Sequence, residues 1–178
     1  GNFANLAKMN ISAAAAGAIS VTTDSAAVAN IVGTGASAVT VVGAGGILSI
    51  STGAGAVAVG GTAVANAITK ASVVGGTTVA IQDRSGAAAA TGATLTDVTV
   101  LGTATTAADI TLTGNAITTV SIHDLTGADG VGDTVITAAA GTRVLNLDIG
   151  GIDVGNNAAV SVGGALSITD ATATSLNL

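Results

Sequence analysis

The feature that most constrains this chain is a recurring short run in which β-branched or aliphatic residues alternate with small polar ones. Clear copies are Ile19-Ser-Val-Thr22, Ile47-Leu-Ser-Ile-Ser51, Thr78-Val-Ala-Ile-Gln82, Ile110-Thr-Leu-Thr113, Thr134-Val-Ile-Thr137 and Leu166-Ser-Ile-Thr169. A period of two sends alternate side chains to opposite faces of a strand, so each run can bury one face and hydrate the other. Weaker copies fall at 39–42, 57–59, 95–101, 119–122, 144–149, 160–162 and 175–178, with Gly, Asn and Asp between them. Strand centres recur every ~9 to 15 residues, so pairs of strands recur every ~20, the scale of one solenoid coil.

Composition narrows what such strands can build. Hydrophobic residues make up 49% of the 178, yet Phe3 is the only aromatic side chain. Rings normally dominate core area, so this core must be filled by Val, Ile, Leu and Ala. Small aliphatic side chains suit a narrow interior in which each layer repeats the last. The 26 glycines, with Asn and Asp, supply corners that need positive φ. Pro, which cannot donate to a hydrogen-bond ladder, is absent. These traits predict an all-β parallel solenoid, with an antiparallel sandwich as the alternative.

Over residues 1–17 the pattern differs. Asn2 to Ala16 reads as a short helix with Phe3, Leu6 and Met9 on one side, although Ile11-Ser12 could equally begin a strand. Residues 1–17 are therefore expected to be an N-terminal cap or linker, and 18–178 a β-repeat array with a break near 86–93. Ala87 to Ala90 and Thr103 to Ala108 are the weak points of the array. The start, Gly1-Asn-Phe, has neither an initiator Met nor a basic leader, which reads as a processed or excised segment.

Charge excludes several functions. The net charge is −6, all ten acids are Asp, and the cations are Lys8, Lys70, Arg84 and Arg143. Nucleic-acid binding needs clustered Lys and Arg, so no such partner is expected. Without Cys there is no disulfide or thiolate metal site. The most apolar run, 11–21, is shorter than the ~20 residues a spanning helix needs, and one Phe cannot supply the aromatic girdles of a membrane barrel.

Few motifs carry chemistry. Val39-Thr-Val-Val-Gly-Ala-Gly-Gly-Ile-Leu48 begins like a dinucleotide fingerprint through Gly43, Gly45 and Gly46. Leu48 then stands where the motif needs Gly, a strand-like run follows where it needs a helix, and the next acid is the distant Asp83. A Gly-rich corner is the better reading. The one histidine, His123, follows a strand-like run and has no second His or Cys to make a transition-metal site. Strand-end Asp97, Asp109, Asp148, Asp153 and Asp170 could act as carboxylate pairs if two faced each other, but corner-forming roles fit better. The pairs Thr94/Thr96 and Thr111/Thr113 are too irregularly repeated for one continuous flat Thr ladder. No catalytic residue, organic cofactor or enzymatic activity is expected.

The strongest motif is Ala128-Asp-Gly-Val-Gly-Asp-Thr-Val-Ile136. It reads first as an Asp-Gly turn capping the strand at 134–137. It also resembles a degenerate Gly-Gly-x-Gly-x-Asp-x-aliphatic-x nonapeptide, in which turn carbonyls and Asp carboxylates bind Ca²⁺. On that second reading Asp129 and Asp133 are the metal ligands.

Together with Ile110-Thr-Leu-Thr-Gly-Asn115, Thr119-Val-Ser-Ile122, Arg143-Val-Leu-Asn-Leu-Asp-Ile149 and the close Leu166 to Leu178, this motif resembles the β-strand-repeat regions of bacterial S-layer and S-layer-like RTX surface proteins. The likeness is fullest over about 90–178 and is one of composition over 18–85. The segment lacks intact tandem nonapeptides. The resemblance implies a secreted, extracellular protein of the bacterial cell surface, exported by a type I system. It further implies anchoring to lipopolysaccharide or other envelope glycan through flanking parts, and self-association into a Ca²⁺-dependent lattice. The expected role is structural, with an adhesin or fibre module binding a receptor or glycan as the alternative.

Overall fold

The computed structural model describes residues 7–13, 17–22, 28–33, 35, 37–43, 45–53, 55–60, 67–83, 94–101, 108–114, 116–124, 131–138, 143–151, 166–170 and 173–177. All regular structure in them is β-strand. The strands are β1 Lys8–Ser12, β2 Ile19–Thr22, β3 Val28–Val32, β4 Val39–Val42, β5 Gly45–Ser51, β6 Val57–Val59, β7 Ala67–Val74 and β8 Val79–Gln82. They continue with β9 Asp97–Leu101, β10 Ala108–Thr113, β11 Thr119–Asp124, β12 Val131–Ala138, β13 Arg143–Gly151, β14 Leu166–Asp170 and β15 Ala173–Asn177.

Odd-numbered strands form one sheet in the order β1-β3-β5-β7-β9-β11-β13-β15, and even-numbered strands form a second in the order β14-β12-β10-β8-β6-β4-β2. We call these sheets A and B. Each coil thus gives one strand to each sheet, and each strand pairs with its equivalents one coil before and after. Every pairing is parallel. The protein is a parallel β-solenoid, and the sandwich alternative is not favoured. Both sheets run on past the long connection after β8; residues 86–93, where a break was expected, lie outside the described residues.

The register explains the composition. On sheet A, Ile11 pairs with Ile31, Ile31 with Ile50, Ile50 with Val73, Val73 with Val100 and Val100 with Ile122. On sheet B, Val21 pairs with Val41, Val41 with Val59, Val59 with Ile81 and Ile81 with Leu112. From Ile31 onward on sheet A, and throughout the sheet B row, these side chains are buried, and they meet between the sheets in one continuous core. Strands ~4.8 Å apart leave each row only one residue's thickness per coil. A row therefore accepts aliphatic side chains of similar size, and a ring would displace its neighbours above and below.

The helix expected over Asn2–Ala16 is corrected by β1. Met9 and Ile11 are inward and half-buried, while Lys8, Asn10 and Ser12 are exposed, which is period two and not 3.6. Pairing with Ala29 and Ile31 decides the conformation, because the two inward side chains extend existing rows. Residues 1–6 lie outside the described residues.

Three strands are less visible in the sequence, and all belong to sheet A. Besides β1, β3 carries apolar Val28 and Val32 outward as well as Ala29 and Ile31 inward, so its alternation is hidden. In β7 the register moves from Gly46↔Ile68 to Ile47↔Lys70, leaving Thr69 as an extra bulge residue that breaks the period.

Corners are closed by hydrogen bonds that continue the ladders. Ala13 N donates to Val32 O (2.9 Å), Gly33 N to Ser51 O (2.8 Å), Thr52 N to Val74 O (2.9 Å) and Gly75 N to Leu101 O (2.8 Å). Gly75 has φ +84, and a Cβ there would run into the Thr52 carbonyl oxygen of the coil beneath. Gly55 is equally confined, by the Ser37 carbonyl. Glycine lets these backbones stack directly.

Ile50 and Ile47 separate the two faces of one strand. Replacing Ile50, 2% exposed, by Ala should lower unfolding free energy by ~2–5 kcal/mol. Replacing Ile47, 52% exposed, should change it by less than ~0.5 kcal/mol. Urea denaturation followed by circular dichroism compares the two; equal losses would contradict the assigned register.

Candidate functional corners and faces

The residues singled out as metal ligands are Asp129 and Asp133. Asp129 lies outside the described residues, and Asp133 lies in β12. The β10–β12 register passes from Ala108↔Val131 to Ile110↔Thr134, so Gly132 and Asp133 together stand across from Asp109. This two-for-one bulge brings the backbones of two Asp residues together on neighbouring coils, which spacing along the chain does not reveal. Among the described residues, no group of three or more His, Cys, Asp or Glu could hold a metal ion. The register partners of His123 are Leu101 and Gly150. Asp148 pairs with Ser121 and Asp170 with Ala138, while Asp153 lies outside the described residues. The Gly43–Gly46 run behaves as a corner leading into a strand: Gly43 has φ 83, Gly46 has φ 62, and β5 starts at Gly45.

The best-defined acid is Asp83, at the corner after β8. It is 2% exposed. Its Oδ2 accepts the Thr94 N–H at 2.9 Å and the Leu95 N–H at 3.0 Å, and its own N–H donates to Thr113 O at 2.7 Å. One carboxylate oxygen thus fastens the returning chain ahead of β9 to the end of β8. Oδ1 is buried without a hydrogen-bond partner. Gly114 keeps the next coil close, since a Cβ there would crowd the Asp83 Cβ at 3.1 Å. In the sequence Asp83 is just an acid after a strand; its role becomes visible only once residues 83 and 94 are brought together.

The same edge of the solenoid carries a ladder of side-chain hydroxyls. Thr69 Oγ1 donates to Gly46 O (3.1 Å), Thr96 Oγ1 to Thr69 O (3.1 Å) and Thr118 Oγ1 to Thr96 O (3.3 Å). Asn146 Nδ2 continues the series to Thr118 O (3.3 Å). Each side chain thus satisfies a carbonyl of the preceding coil at the point where the chain enters sheet A. Thr94 Oγ1 likewise donates to Ile68 O at 2.9 Å. Thr94 and Thr96 are therefore inter-coil fasteners and not parts of an outward-facing Thr array.

The two outer faces differ. On sheet B the described outward residues are Ser20, Thr22, Thr40, Val42, Ala58, Ala80, Gln82, Thr111 and Thr113, none of them charged. On sheet A the outward row holds Lys8, Val28, Ile47, Lys70 and Asp97. Lys70 Nζ lies 3.7 Å from Asp97 Oδ1 on the next strand, and the single Thr96 hydroxyl proton is shared between Asp97 Oδ2 at 2.5 Å and Thr69 O at 3.1 Å. Val28, Val32, Ile47 and Val144, the exposed large hydrophobic residues among those described, all lie on sheet A. Among the described residues no helix is long and apolar enough to cross a membrane.

Fold and surface together define a β-solenoid scaffold held by backbone ladders, hydroxyl ladders and corner clamps. Comparison with family models, curated proteins and solved structures gives no match.

Asp83→Ala should destabilise the fold by ~1–3 kcal/mol, because it leaves two corner N–H groups without their acceptor. Asp83→Asn keeps an acceptor oxygen at the Oδ2 position and should lose clearly less. Thermal unfolding of both variants checks the clamp; equal losses would show that the corner does not depend on that acceptor.

Proposed function

We propose that this chain is a structural segment of a secreted bacterial cell-surface protein and that it forms or supports an S-layer-like lattice. The observation that carries the reading is the in-register stacking of like residues, which makes a repeating scaffold with two strand-lined outer faces that carry few charges among the described residues. Strand faces of this kind associate readily when little charge opposes contact, and any exposed strand edge offers unpaired N–H and C=O groups to another strand. The described residues are committed to holding the stack: Asp83 to a corner, Thr96 and Thr118 to neighbouring coils, Lys70 and Asp97 to each other. Such a surface is suited to contact and spacing. The sequence resemblance supplies the setting, namely export, the extracellular surface, and attachment to envelope glycan or lipopolysaccharide through flanking parts.

Ca²⁺ enters this reading as the ion that orders the corner before β12, with Asp129 and Asp133 as ligands. The register adds Asp109 as a neighbour of Asp133. Asp carboxylates and turn carbonyls are the hard oxygen donors that Ca²⁺ prefers.

Electron microscopy of the purified protein, with Ca²⁺ or with a chelator, tests the proposal. Ordered two-dimensional arrays in Ca²⁺ and dispersed particles in chelator are expected. Discrete monomers or trimers in both conditions, combined with binding to cells, would replace the lattice reading with that of an adhesin or fibre module.

A further inference from the structure

Over β1 to β9 the outer face of sheet A combines exposed aliphatic side chains with Lys8, Lys70 and Asp97. Its first outward row runs Lys8, Val28, Ile47, Lys70, Asp97 on β1, β3, β5, β7 and β9. A middle outward row is polar, Asn10, Asn30, Ser49, Ser72 and Thr99, and a third runs through Val32 on β3 and Val74 on β7, with Ser51 on β5 between them. Lys8 thus stands at the β1 end, the ion pair of Lys70 and Asp97 at the β7–β9 end, and the exposed aliphatic side chains of Val28 and Ile47 between. Ile47, on the central strand, is the most exposed large hydrophobic among the described residues at 52%.

We propose that this face is a two-fold contact between two copies of the chain, with the symmetry axis parallel to the strands and passing over β5. The inference rests on the self-associating reading above and names the surface it uses. Such an axis reverses strand order and preserves position along the strand, so each row meets itself turned around. Strand β1 then lies over its partner's β9, β3 over β7, and β5 over β5. Lys8 faces the second copy's Asp97, Val32 faces Val74, and Ile47 faces Ile47. A two-fold interface requires one patch to complement itself. Here Lys8 meets Asp97, the aliphatic stem of Lys70 lies over Val28 with its ammonium toward its own Asp97, Val32 meets Val74, and the most exposed large hydrophobic side chain sits on the axis. The described outward residues of sheet B, none of them charged, show no such polarity.

The contact is small. Five strands ~4.8 Å apart and about 17 Å long give a footprint of roughly 400 Å² per copy, about half of the ~800 Å² per partner in a standard stable interface. The pairing is therefore weak for two free molecules and becomes effective where many copies are held side by side. It also weakens as salt screens the Lys8–Asp97 contacts at its edge.

Sedimentation velocity over a concentration series tests this, using the full chain, Ile47→Lys, Lys8→Asp, the Lys8→Asp/Asp97→Lys double reversal, and Thr40→Lys on sheet B as control. Circular dichroism verifies that each variant is folded. The wild type should dimerise reversibly and less well at high salt. Ile47→Lys should raise the dissociation constant at least about tenfold. Lys8→Asp should weaken association and the double reversal should recover it, while Thr40→Lys should leave it unchanged. A chain that stays monomeric up to about millimolar concentration, a dimer indifferent to Ile47→Lys, or failure of the double reversal to recover association overturns the proposal. Arrays in the microscope that survive Ile47→Lys overturn this face while leaving the lattice reading intact. A dimer with the predicted variant pattern and no arrays does the reverse.

Discussion

Everything in this structure depends on the parallel hydrogen-bond ladder between successive coils. Once a strand must pair in register with its equivalent one coil earlier, each residue inherits its neighbour's environment. Ile11, Ile31, Ile50 and Val73 are alike because they stand over one another, and the ~4.8 Å strand spacing leaves room for aliphatic side chains of one size class. The dearth of aromatic residues, the absence of proline and the abundance of glycine follow from the same constraint. Rings overfill a row, proline interrupts the ladder, and glycines such as Gly55 and Gly75 allow corners to stack where a Cβ would strike the carbonyl beneath.

The second consequence concerns polar groups. A solenoid must satisfy the backbone at every corner as well as along every strand, because a buried unpaired group costs on the order of 1–3 kcal/mol. This chain does so by repetition. The N–H groups of Ala13, Gly33, Thr52 and Gly75 carry the sheet A ladder into the corners. The hydroxyls of Thr69, Thr96 and Thr118 secure the opposite edge. Ahead of β9, Asp83 fastens the chain at Thr94 and Leu95 to the end of β8 through a single carboxylate oxygen. These polar side chains are engaged in holding the stack, and the functional reading concerns surfaces.

The two faces of the scaffold are not equivalent, and the difference arises from which strands could tolerate outward aliphatic residues. Sheet B alternates inward aliphatic with outward small residues and is legible as strands from end to end of its described part. Sheet A places Val28, Val32 and Ile47 outward. These blur the period that reveals a strand and at the same time create the surface suited to contact. Outward aliphatic residues hide β3 and the Thr69 bulge hides β7, and both strands, with β1, form much of the proposed interface.

By itself, the sequence determined the class of fold. Short alternating runs at coil spacing, small aliphatic core residues and Gly/Asp corners leave few alternatives to a parallel solenoid, because local conformation and row size are set by residue type. It singled out Asp133 as a metal ligand, though not Asp109, which the register places across from it. Tertiary structure alone decided the helix-or-strand question at Lys8–Ser12, where pairing with Val28–Val32 overrides a weak local preference. It alone decided the roles of Asp83, Thr96 and Thr118, whose partners lie one coil away. It also decided which charges share a face, since Lys8, Lys70 and Asp97 become neighbours in one row only when intervening coils are wound between them. Contacts across a coil are set by register, and register is a property of the stack.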